Sequence, residues 1–567
     1  MTFKVARIRQ RSADLFPVRF AELQRDAWTP TRVHRILRRG SRSPGVAGRA
    51  RVAQEASMKP LVQFGDSRQS GEAFHARYTR AATALRHAGL GPGEVVALML
   101  RNEPVMLELM LAARWIGARW CMVNWHFKSA EVRHILADSQ AKLLVVHADL
   151  LGQIAGAVPP GVRVFVVEPL ECTRRAFSLV PESPPDVGRE LERWDAFRDA
   201  ATGPIVAQQV PGSAMVYTSG TTGLPKGIKR EPATPEQLAL IAERSRRVLG
   251  IEAGMRALIS APLYHSAPVA YVVQAALNDA HLVVEPKFDA ERTLQLIEAE
   301  RITHLYLVPT MYVRLLRLDP ERKKRYDLSS VKFVASTGSP CAPGIKRQMI
   351  DWWGPVFHET YAASELGWIS HVDSAEALRK PGSAGRAMPG VELKVLSTKG
   401  QEVASGTVGL LYARDPAVPE FTYANNDAAR RAIELDGLWT LGDLGYLDAE
   451  GYLYIVDRRS DMVISGGVNI YPAEIEAALM CMPGVADCAV FGIPDDEFGE
   501  ALVAAVQPVE RSRVDAAQVQ AWVRERLADY KVPRHVAFHE ELPREETGKI
   551  FKRKLREPYW KGRETRV

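Results

Sequence analysis

Cysteine is scarce in this chain. Its 567 residues include five, at Cys121, Cys172, Cys341, Cys481 and Cys488. The count is odd and no two of them form a CxxC pair, so a disulfide framework or a structural zinc site is not expected. The first 57 residues also lack the apolar segment of a secretory signal. These absences predict a reducing compartment, and we expect a cytoplasmic protein.

Long apolar runs are also missing. The stretch from Ala257 to Asn278 carries no formal charge, but it contains prolines and several polar side chains. A membrane span needs about 20 predominantly apolar residues. We therefore predict a buried strand over Leu258–Ala261, a turn at Pro262–Ser266 and a helix from Pro268, with no transmembrane segment. Peripheral membrane contact and a homodimer remain open.

The positive charge of the chain is confined to its beginning. Residues 1–57 hold 13 Lys and Arg against 4 Asp and Glu, which leaves 61 against 63 for the rest. A folded domain with that balance does not predict a nucleic-acid partner. The leader itself has three interpretations: a basic arm, a transit peptide, or an extension upstream of a native start at Met58. We favour the extension, or plain disorder, because the globular pattern begins after Met58.

Helical and strand-like segments alternate from Gly71 onward. Helices such as HARYTRAATALRHAGL are followed by short apolar strands such as GEVVALML. Strands separated by helices of about 10–15 residues favour parallel α/β sheets. After Gly382, short strands joined by glycine and acidic turns predict a β-rich subdomain.

We therefore predict an α/β protein. Its large domain, residues 58–459, would contain two parallel α/β lobes and the β-rich subdomain, and we call it the body. A basic leader would cover 1–57. A small α+β domain would cover 460–567, and we call it the lid.

The clearest motif is TSGTTGLPKG, from Thr218 to Gly227. Four hydroxyls, three glycines and one lysine within ten residues suit a phosphate-binding loop. Glycines allow backbone N–H groups to approach the oxygens, hydroxyls donate, and lysine supplies charge. A surface turn would explain the glycines but not the lysine after Pro225. The Walker A pattern does not occur in the chain.

This loop resembles that of the adenylate-forming, or AMP-binding, superfamily, which includes acyl-CoA synthetases, adenylation domains and beetle luciferases. Further motifs of the family follow in its order over roughly residues 70 to 556. The resemblance is closest to the fatty-acid:CoA ligase branch. It implies ATP and coenzyme A as co-substrates, Mg²⁺ as the metal ion, and a lid that moves.

The resemblance also assigns roles to particular residues. For ATP or AMP it implies Thr218, Ser219, Gly220, Thr221, Thr222, Gly223, Lys226, Ser336, Thr337, Gly338, Ser339, Tyr361, Ser364, Asp443 and Arg458. For the acid and CoA it implies His265, Ala362, Gly466 and Gly467. Catalysis would rest on Thr218, His265, Glu365 and Lys549, with Glu365 holding Mg²⁺ and a hinge at Ser460 and Asp461.

Within these sets, Tyr361 would stack on adenine and Asp443 would accept hydrogen bonds from both ribose hydroxyls. Lys549 would bridge the attacking carboxylate and the α-phosphate. Taken alone, most of these motifs allow plainer interpretations, such as a Gly-Asp turn, a hydrogen-bonded core histidine at His265 or an exposed lysine. The phosphate loop upstream favours the functional interpretation.

Four positions depart from the family pattern, and one of them is Leu441, which stands where threonine is usual. Ala362 replaces the usual glycine and adds a methyl group where the acyl pocket runs. Ser364 replaces threonine but keeps the hydroxyl. Ser460 stands where many members carry Asp or Lys at the pivot, so the behaviour of the hinge is a separate question.

The resemblance implies an ATP-dependent acid:CoA ligase that forms an acyl-adenylate and then a thioester, releasing AMP and pyrophosphate. The acid would be fatty or otherwise apolar. Two alternatives stand beside it: an adenylating enzyme that loads a carrier-protein phosphopantetheine, and a non-catalytic nucleotide-binding protein. An assay that compares free CoA with a carrier thiol would separate the CoA ligase from the carrier-loading enzyme. ATP–pyrophosphate exchange would exclude the non-catalytic protein.

Overall fold

The computed structural model describes residues 61–180, 191–203, 208, 210–218, 225–466, 468–510, 512–544 and 550–561. All of them fall within one compact unit, 59–567. The basic leader predicted for 1–57 lies outside the described residues, as do six residues of the phosphate loop, Gly467 and Lys549.

The first sheet of the body has nine strands among the described residues. In spatial order they are Arg386–Ala387, Gly367–Asp373, Phe357–Ala363, Phe333–Ser336, His304–Leu307, Arg256–Ile259, His281–Val284, Leu61–Phe64 and Ser67–Ser70. The inner strands pair in parallel and the outer ones antiparallel.

The second sheet has eight strands in the described part of the chain. Their order is Phe421–Tyr423, Lys226–Arg230, Ala214–Thr218, Arg119–Met122, Val95–Met99, Ala141–His147, Arg163–Val167 and Glu192–Arg193. The central strand VVALM is buried along its whole length, as expected for a parallel strand covered by helices on both faces. The strand before the phosphate loop, Ala214–Thr218, pairs in parallel with Arg119–Met122, and the strand after the loop and Phe421–Tyr423 then extend the sheet antiparallel.

The third sheet of the body is antiparallel throughout its described pairs. It consists of Glu434–Leu435, Leu438–Trp439, Gly409–Arg414, Asp443–Leu447 and Leu453–Arg458, with Glu392–Leu396 paired to Gly409–Arg414. The short strands are joined by turns, as the β-rich pattern after Gly382 predicts.

The lid contains a fourth sheet, of five strands within the described residues. These are Val468–Ile470, Val463–Ser465, Gly499–Pro508 and Val485–Asp495 in order, with His535–Phe538 paired in parallel to Gly499–Pro508. Three helices accompany it: Pro472–Leu479, Ala516–Arg524 and Lys552–Trp560. A core around Ile475, Val490 and Val519 gives the lid its own buried centre.

Helices cover the sheets of the body. Those described are Gly71–His87, Pro104–Trp115, Ser129–Asp138, Glu171–Phe177, Trp194–Ala200, Pro235–Leu249, Ser266–Leu277, Ala290–Ala299, Pro309–Leu316, Pro320–Lys323, Pro343–Trp353, Ser374–Arg379 and Asp427–Arg431. Short 3₁₀ turns occur at Ala148–Leu150, Gly152–Ile154 and, in the lid, Asp529–Lys531. None of the described helices combines the length and apolarity that a bilayer span requires.

Local sequence explains where these helices begin and end. Thr234 and Gln237 form a reciprocal capping box at the start of Pro235–Leu249. The helix ends at Gly250, which has a φ of +69°. A Cβ there would lie 2.6 Å from the Phe333 ring, so both conformation and space require glycine.

The predicted α/β architecture, with a large N-terminal part and a small C-terminal domain, is confirmed. Two local predictions were wrong in their bounds. The buried strand covers Arg256–Ile259 rather than Leu258–Ala261, and the helix begins at Ser266 rather than Pro268. Proline is tolerated in the first turn of a helix, where its missing N–H would have no intrahelical partner.

Candidate active site

Two antiparallel strands of the second sheet hold the ends of the phosphate loop together. Thr218 ends one strand and lies opposite Lys226, which begins the next. The His134 ring donates from Nε2 to the Pro225 carbonyl oxygen at 2.8 Å and so anchors the exit of the loop. The loop residues between lie outside the described part of the chain: Ser219, Gly220, Thr221, Thr222, Gly223 and Leu224.

Glu365 is the buried carboxylate next to this loop, with 5% of its surface exposed. Its Oε1 accepts hydrogen bonds from Thr218 Oγ1 at 3.3 Å and from the Tyr423 hydroxyl at 3.1 Å. Arg230 donates to the backbone carbonyls of Ser364 and Glu365, at 2.5 and 2.8 Å. Burial raises the pKa of Glu365 and lowers the pKa of Arg230 to about 10.

These residues suit the magnesium ion that the family resemblance implies. Mg²⁺ prefers hard oxygen ligands and usually takes only one or two carboxylates from the protein. Because burial has removed water from the Glu365 carboxylate, a cation beside it would favour the ionised form. The Thr218 hydroxyl adds a second oxygen at the same place. Glu365 therefore fits the role of a metal ligand.

The motif PLYH, whose His265 is expected to contact the acid, lies next to Ser364. Ser266 Oγ is 2.8 Å from Ser364 Oγ, and Ser266 begins the helix that His265 precedes. The His265 ring is half-buried, with its centroid 4.3 Å from that of Tyr264. Ala362 lies on the adjoining strand, where the register shifts. The structure thus brings His265, Ser364 and Glu365 into one neighbourhood.

The expected ribose-binding residues meet on the third sheet. Asp443 and Arg458 lie opposite each other on adjacent strands. The Tyr361 hydroxyl donates to Asp443 Oδ2 at 2.5 Å, and Arg458 Nε donates to Oδ1 at 3.2 Å. Burial, and then the Asp443 charge, raises the pKa of Tyr361 well above its usual value. The tyrosine therefore remains a neutral donor at physiological pH.

The expected adenine-binding loop follows the strand Phe333–Ser336. Thr337 Oγ1 donates to the Thr360 carbonyl at 2.7 Å, which ties the loop to the residue before Tyr361. Gly338 is exposed and has a φ of +99°, a conformation that favours glycine. Ser339 is half-buried beside it.

The described lid and hinge residues follow directly from the ribose site. Ser460 and Asp461 come two and three residues after Arg458. Gly466 turns between two lid strands with a φ of +57°, and its N–H donates to the Phe498 carbonyl at 2.8 Å. The structure says nothing of Gly467 and Lys549, which lie outside the described residues.

Four residues of this neighbourhood were missed by sequence reasoning: Arg230, Tyr423, Ser266 and His134. Arg230 contacts Ser364, 134 residues away in the chain, and Tyr423 contacts Glu365, 58 residues away. No local sequence pattern indicates either contact. Ser266 directly follows the motif PLYH, so its position could have been noticed.

Comparison with known proteins identifies the family. A family model described as the AMP-binding enzyme matches residues 49–420. The chain belongs to the AMP-binding enzyme family. A second model, the AMP-binding enzyme C-terminal domain, matches residues 474–549.

Similar AMP-binding enzymes include the indoleacetate–CoA ligase of Aromatoleum aromaticum, 35% identical over 88% of this chain and 95% of that protein. The feruloyl-CoA synthase of an Amycolatopsis species is 32% identical over 90% and 97%. Among solved structures, ATP-bound MatB from Rhodopseudomonas palustris is 28% identical, with a TM-score of 0.75 over 90% of this chain and 98% of MatB.

Proposed function

We propose that this AMP-binding enzyme is an ATP-dependent acid:CoA ligase that converts an apolar carboxylic acid into its acyl-adenylate and then into a CoA thioester. One observation supports it above others. Hydrogen bonds join Thr218 to Glu365 at the end of the phosphate loop, and join Tyr361 and Arg458 to Asp443 at the expected ribose site. The two groups form one set because Tyr361 and Glu365 are four residues apart in the chain.

Each part of that set has a task in adenylation. Asp443 binds the ribose hydroxyls, while Thr218 and Lys226 lie at the two ends of the loop that holds the phosphates. Glu365 would hold Mg²⁺, which when bound neutralises charge on the phosphate oxygens. Ser364, which is hydrogen-bonded to Ser266, would contact the acid and the α-phosphate. Catalysis then rests on positioning and on fixed charge.

The reaction has two steps and leaves the atoms in balance. A carboxylate oxygen attacks the α-phosphorus of ATP, and pyrophosphate leaves with the electron pair of the broken P–O bond. The CoA thiolate then attacks the acyl carbonyl and AMP leaves. We assign the first step to Lys549, brought in by the lid, and the second to a rotated lid. The similarity to an ATP-bound relative over both domains supports assigning the described arrangement to the adenylation step.

The apolar character of the acid is inferred from two features. The helix Ser266–Leu277, which begins beside Ser364, buries Val269, Val272 and Val273 and carries no charged residue. The two similar ligases act, by their names, on indoleacetate and on ferulate. Both acids carry a ring, so we place aryl acids beside fatty acids in the panel below.

The test is an acid panel of indole-3-acetate, ferulate, dodecanoate and acetate. ATP–pyrophosphate exchange reports the first step, and acyl-CoA detected by chromatography reports the second. We expect exchange with at least one apolar acid, thioester with free CoA, and neither with acetate. Exchange with no acid would refute the ligase assignment. Exchange without thioester, until a carrier protein is supplied, would favour the carrier-loading alternative.

A further inference from the structure

The hinge is one place where the body and the lid meet. The last body strand ends at Arg458, just before the hinge. Beside it, Asp457 Oδ2 accepts a hydrogen bond of 3.0 Å from the N–H of Ala473, in the first turn of the lid helix Pro472–Leu479. A contact next to a pivot moves little during a rotation, so the orientation of the lid has to be held by contacts elsewhere.

A second contact joins the body to the lid through Arg317. This residue follows the body helix Pro309–Leu316 and donates from Nη2 to the carbonyl oxygen of Ala486. Ala486 lies near the start of the lid strand Val485–Asp495, where the register against Gly499–Pro508 shifts. The extra residue of such a bulge is left out of the ladder, which explains why this carbonyl can accept a hydrogen bond from the body.

The turn before that strand contacts another body helix. Gly344 lies in the first turn of the helix Pro343–Trp353, and a Cβ there would lie 3.3 Å from the sulfur of Cys481 in the lid. Any side chain at this position would crowd the sulfur, so glycine allows the close approach. The helices next to Arg317 and Gly344 pack against each other. Residues 481–487, which we call the docking segment, therefore rest on two adjacent helices of the body.

The two sides of this contact are anchored in separate cores. Met482 of the docking segment belongs to the buried core of the lid. The two body helices are held by Leu315 and Met349, which are fully buried in the core of the body. Each side therefore moves with its own domain, and a rotation of the lid changes the distance from Arg317 to Ala486. A hydrogen bond that forms in only one orientation is a free-energy difference between orientations.

We propose that Arg317 is a positioning residue that docks residues 481–487 on the body and so favours the described orientation of the lid, one of the two in which the enzyme works. The inference rests on the two-step ligase function proposed above, and either step can be the one that this orientation serves.

The test begins by locking the lid through the exposed Cys481. Gly344→Cys supplies a second thiol within reach, since the Cβ atoms of a disulfide lie about 3.5–4.5 Å apart. Oxidised glutathione would join the two thiols and be reduced to two molecules of glutathione. The half-reactions are ATP–pyrophosphate exchange, and thioester formation from supplied acyl-adenylate and CoA. We expect the locked enzyme to retain one of them and lose the other, and dithiothreitol to restore both. Gly344→Cys combined with Cys481→Ser is the matched control, which should not respond to the oxidant.

Arg317→Met then removes the charged donor from the unlocked enzyme. Each half-reaction scales with the population of the orientation that serves it. The rate of the half-reaction that the lock retains, divided by the rate of the other, should therefore fall about tenfold relative to wild type. In the Gly344→Cys background, the same change should slow crosslinking. Arg314→Met, at an exposed position of the same helix, should leave both the ratio and the crosslinking unchanged.

Several results would overturn the proposal. Arg317→Met could lower both half-reactions equally, leave their ratio unchanged or raise it, or raise only the KM for CoA, which would make Arg317 a CoA ligand. Gly344→Cys could fail to crosslink, or the locked enzyme could retain or lose both half-reactions. A wild-type chain without exchange on any acid of the panel would instead contradict the ligase function, and the crosslinking rates would still test the contact of Arg317.

Discussion

Asp443→Asn gives the sharpest test of the ribose assignment. A carboxylate offers about four lone-pair positions, and Tyr361 and Arg458 occupy one on each oxygen. Two positions remain for the two ribose hydroxyls. Asparagine keeps the shape but replaces one oxygen by an NH₂ donor and removes the charge. We therefore expect at least one charge-assisted hydrogen bond to ATP to be lost.

The size of the effect follows from that loss. A hydrogen bond to a charged group is worth about 1.5–3 kcal/mol. A loss of about 2 kcal/mol corresponds to an increase of about thirtyfold in the KM for ATP. The acid binds near Ser364 on our assignment, so its KM should stay within about twofold.

The assay is ATP–pyrophosphate exchange, with ATP varied at saturating acid and the acid varied at saturating ATP. Asp436→Asn is the control, because Asp436 is an exposed carboxylate of the same subdomain with a φ of +50°, which asparagine tolerates. Thermal unfolding of both variants would show whether they remain folded. A selective increase in the KM for the acid, with ATP unaffected, would refute the assignment of Asp443.

Three further predictions concern stability, pH and the lid. Arg244 and Asp415 form a buried ion pair, so Arg244→Met should lower the free energy of unfolding by about 3–5 kcal/mol because it leaves the Asp415 charge unpaired. Denaturant unfolding measures this loss. The control Arg246→Met, at an exposed position, should cost under about 0.5 kcal/mol. Because burial raises the pKa of Glu365, adenylation should be lost as pH falls through that raised pKa. A higher Mg²⁺ concentration should move this acidic limb of the pH–rate profile to lower pH. An acidic limb that does not depend on Mg²⁺ would contradict the role of Glu365 as a metal ligand. Lys549→Ala should abolish most exchange yet retain thioester formation from supplied acyl-adenylate, and equal losses in both would refute its assignment.

Much of the fold was predictable because its determinants are local. The alternation of helical and strand periods predicted the parallel sheets, and capping residues such as Thr234 fix helix starts within a few positions of the chain. The shift of one helix start to Ser266 shows the limit of this reasoning. The sequence pattern predicts a helix boundary at Pro268, although the first turn of a helix accepts proline without loss of a hydrogen bond.

The site was predictable in its members but not in its contacts. The motifs identified Tyr361, Asp443 and Arg458 separately, but their meeting depends on antiparallel pairing within the third sheet and its approach to the first. Arg230 shows what motif reasoning misses altogether. It binds backbone carbonyls 134 and 135 residues away, and a contact to main-chain atoms constrains no partner side chain.

The cap supplied by Asp457 has a practical consequence for domain exchange. The first lid helix, Pro472–Leu479, takes its N-terminal hydrogen bond from a residue of the preceding domain. A fusion that joined this lid to a foreign body at Ser460 would discard that acceptor. The junction should therefore lie upstream of Asp457, so that the transplanted segment includes the residue that caps its first helix.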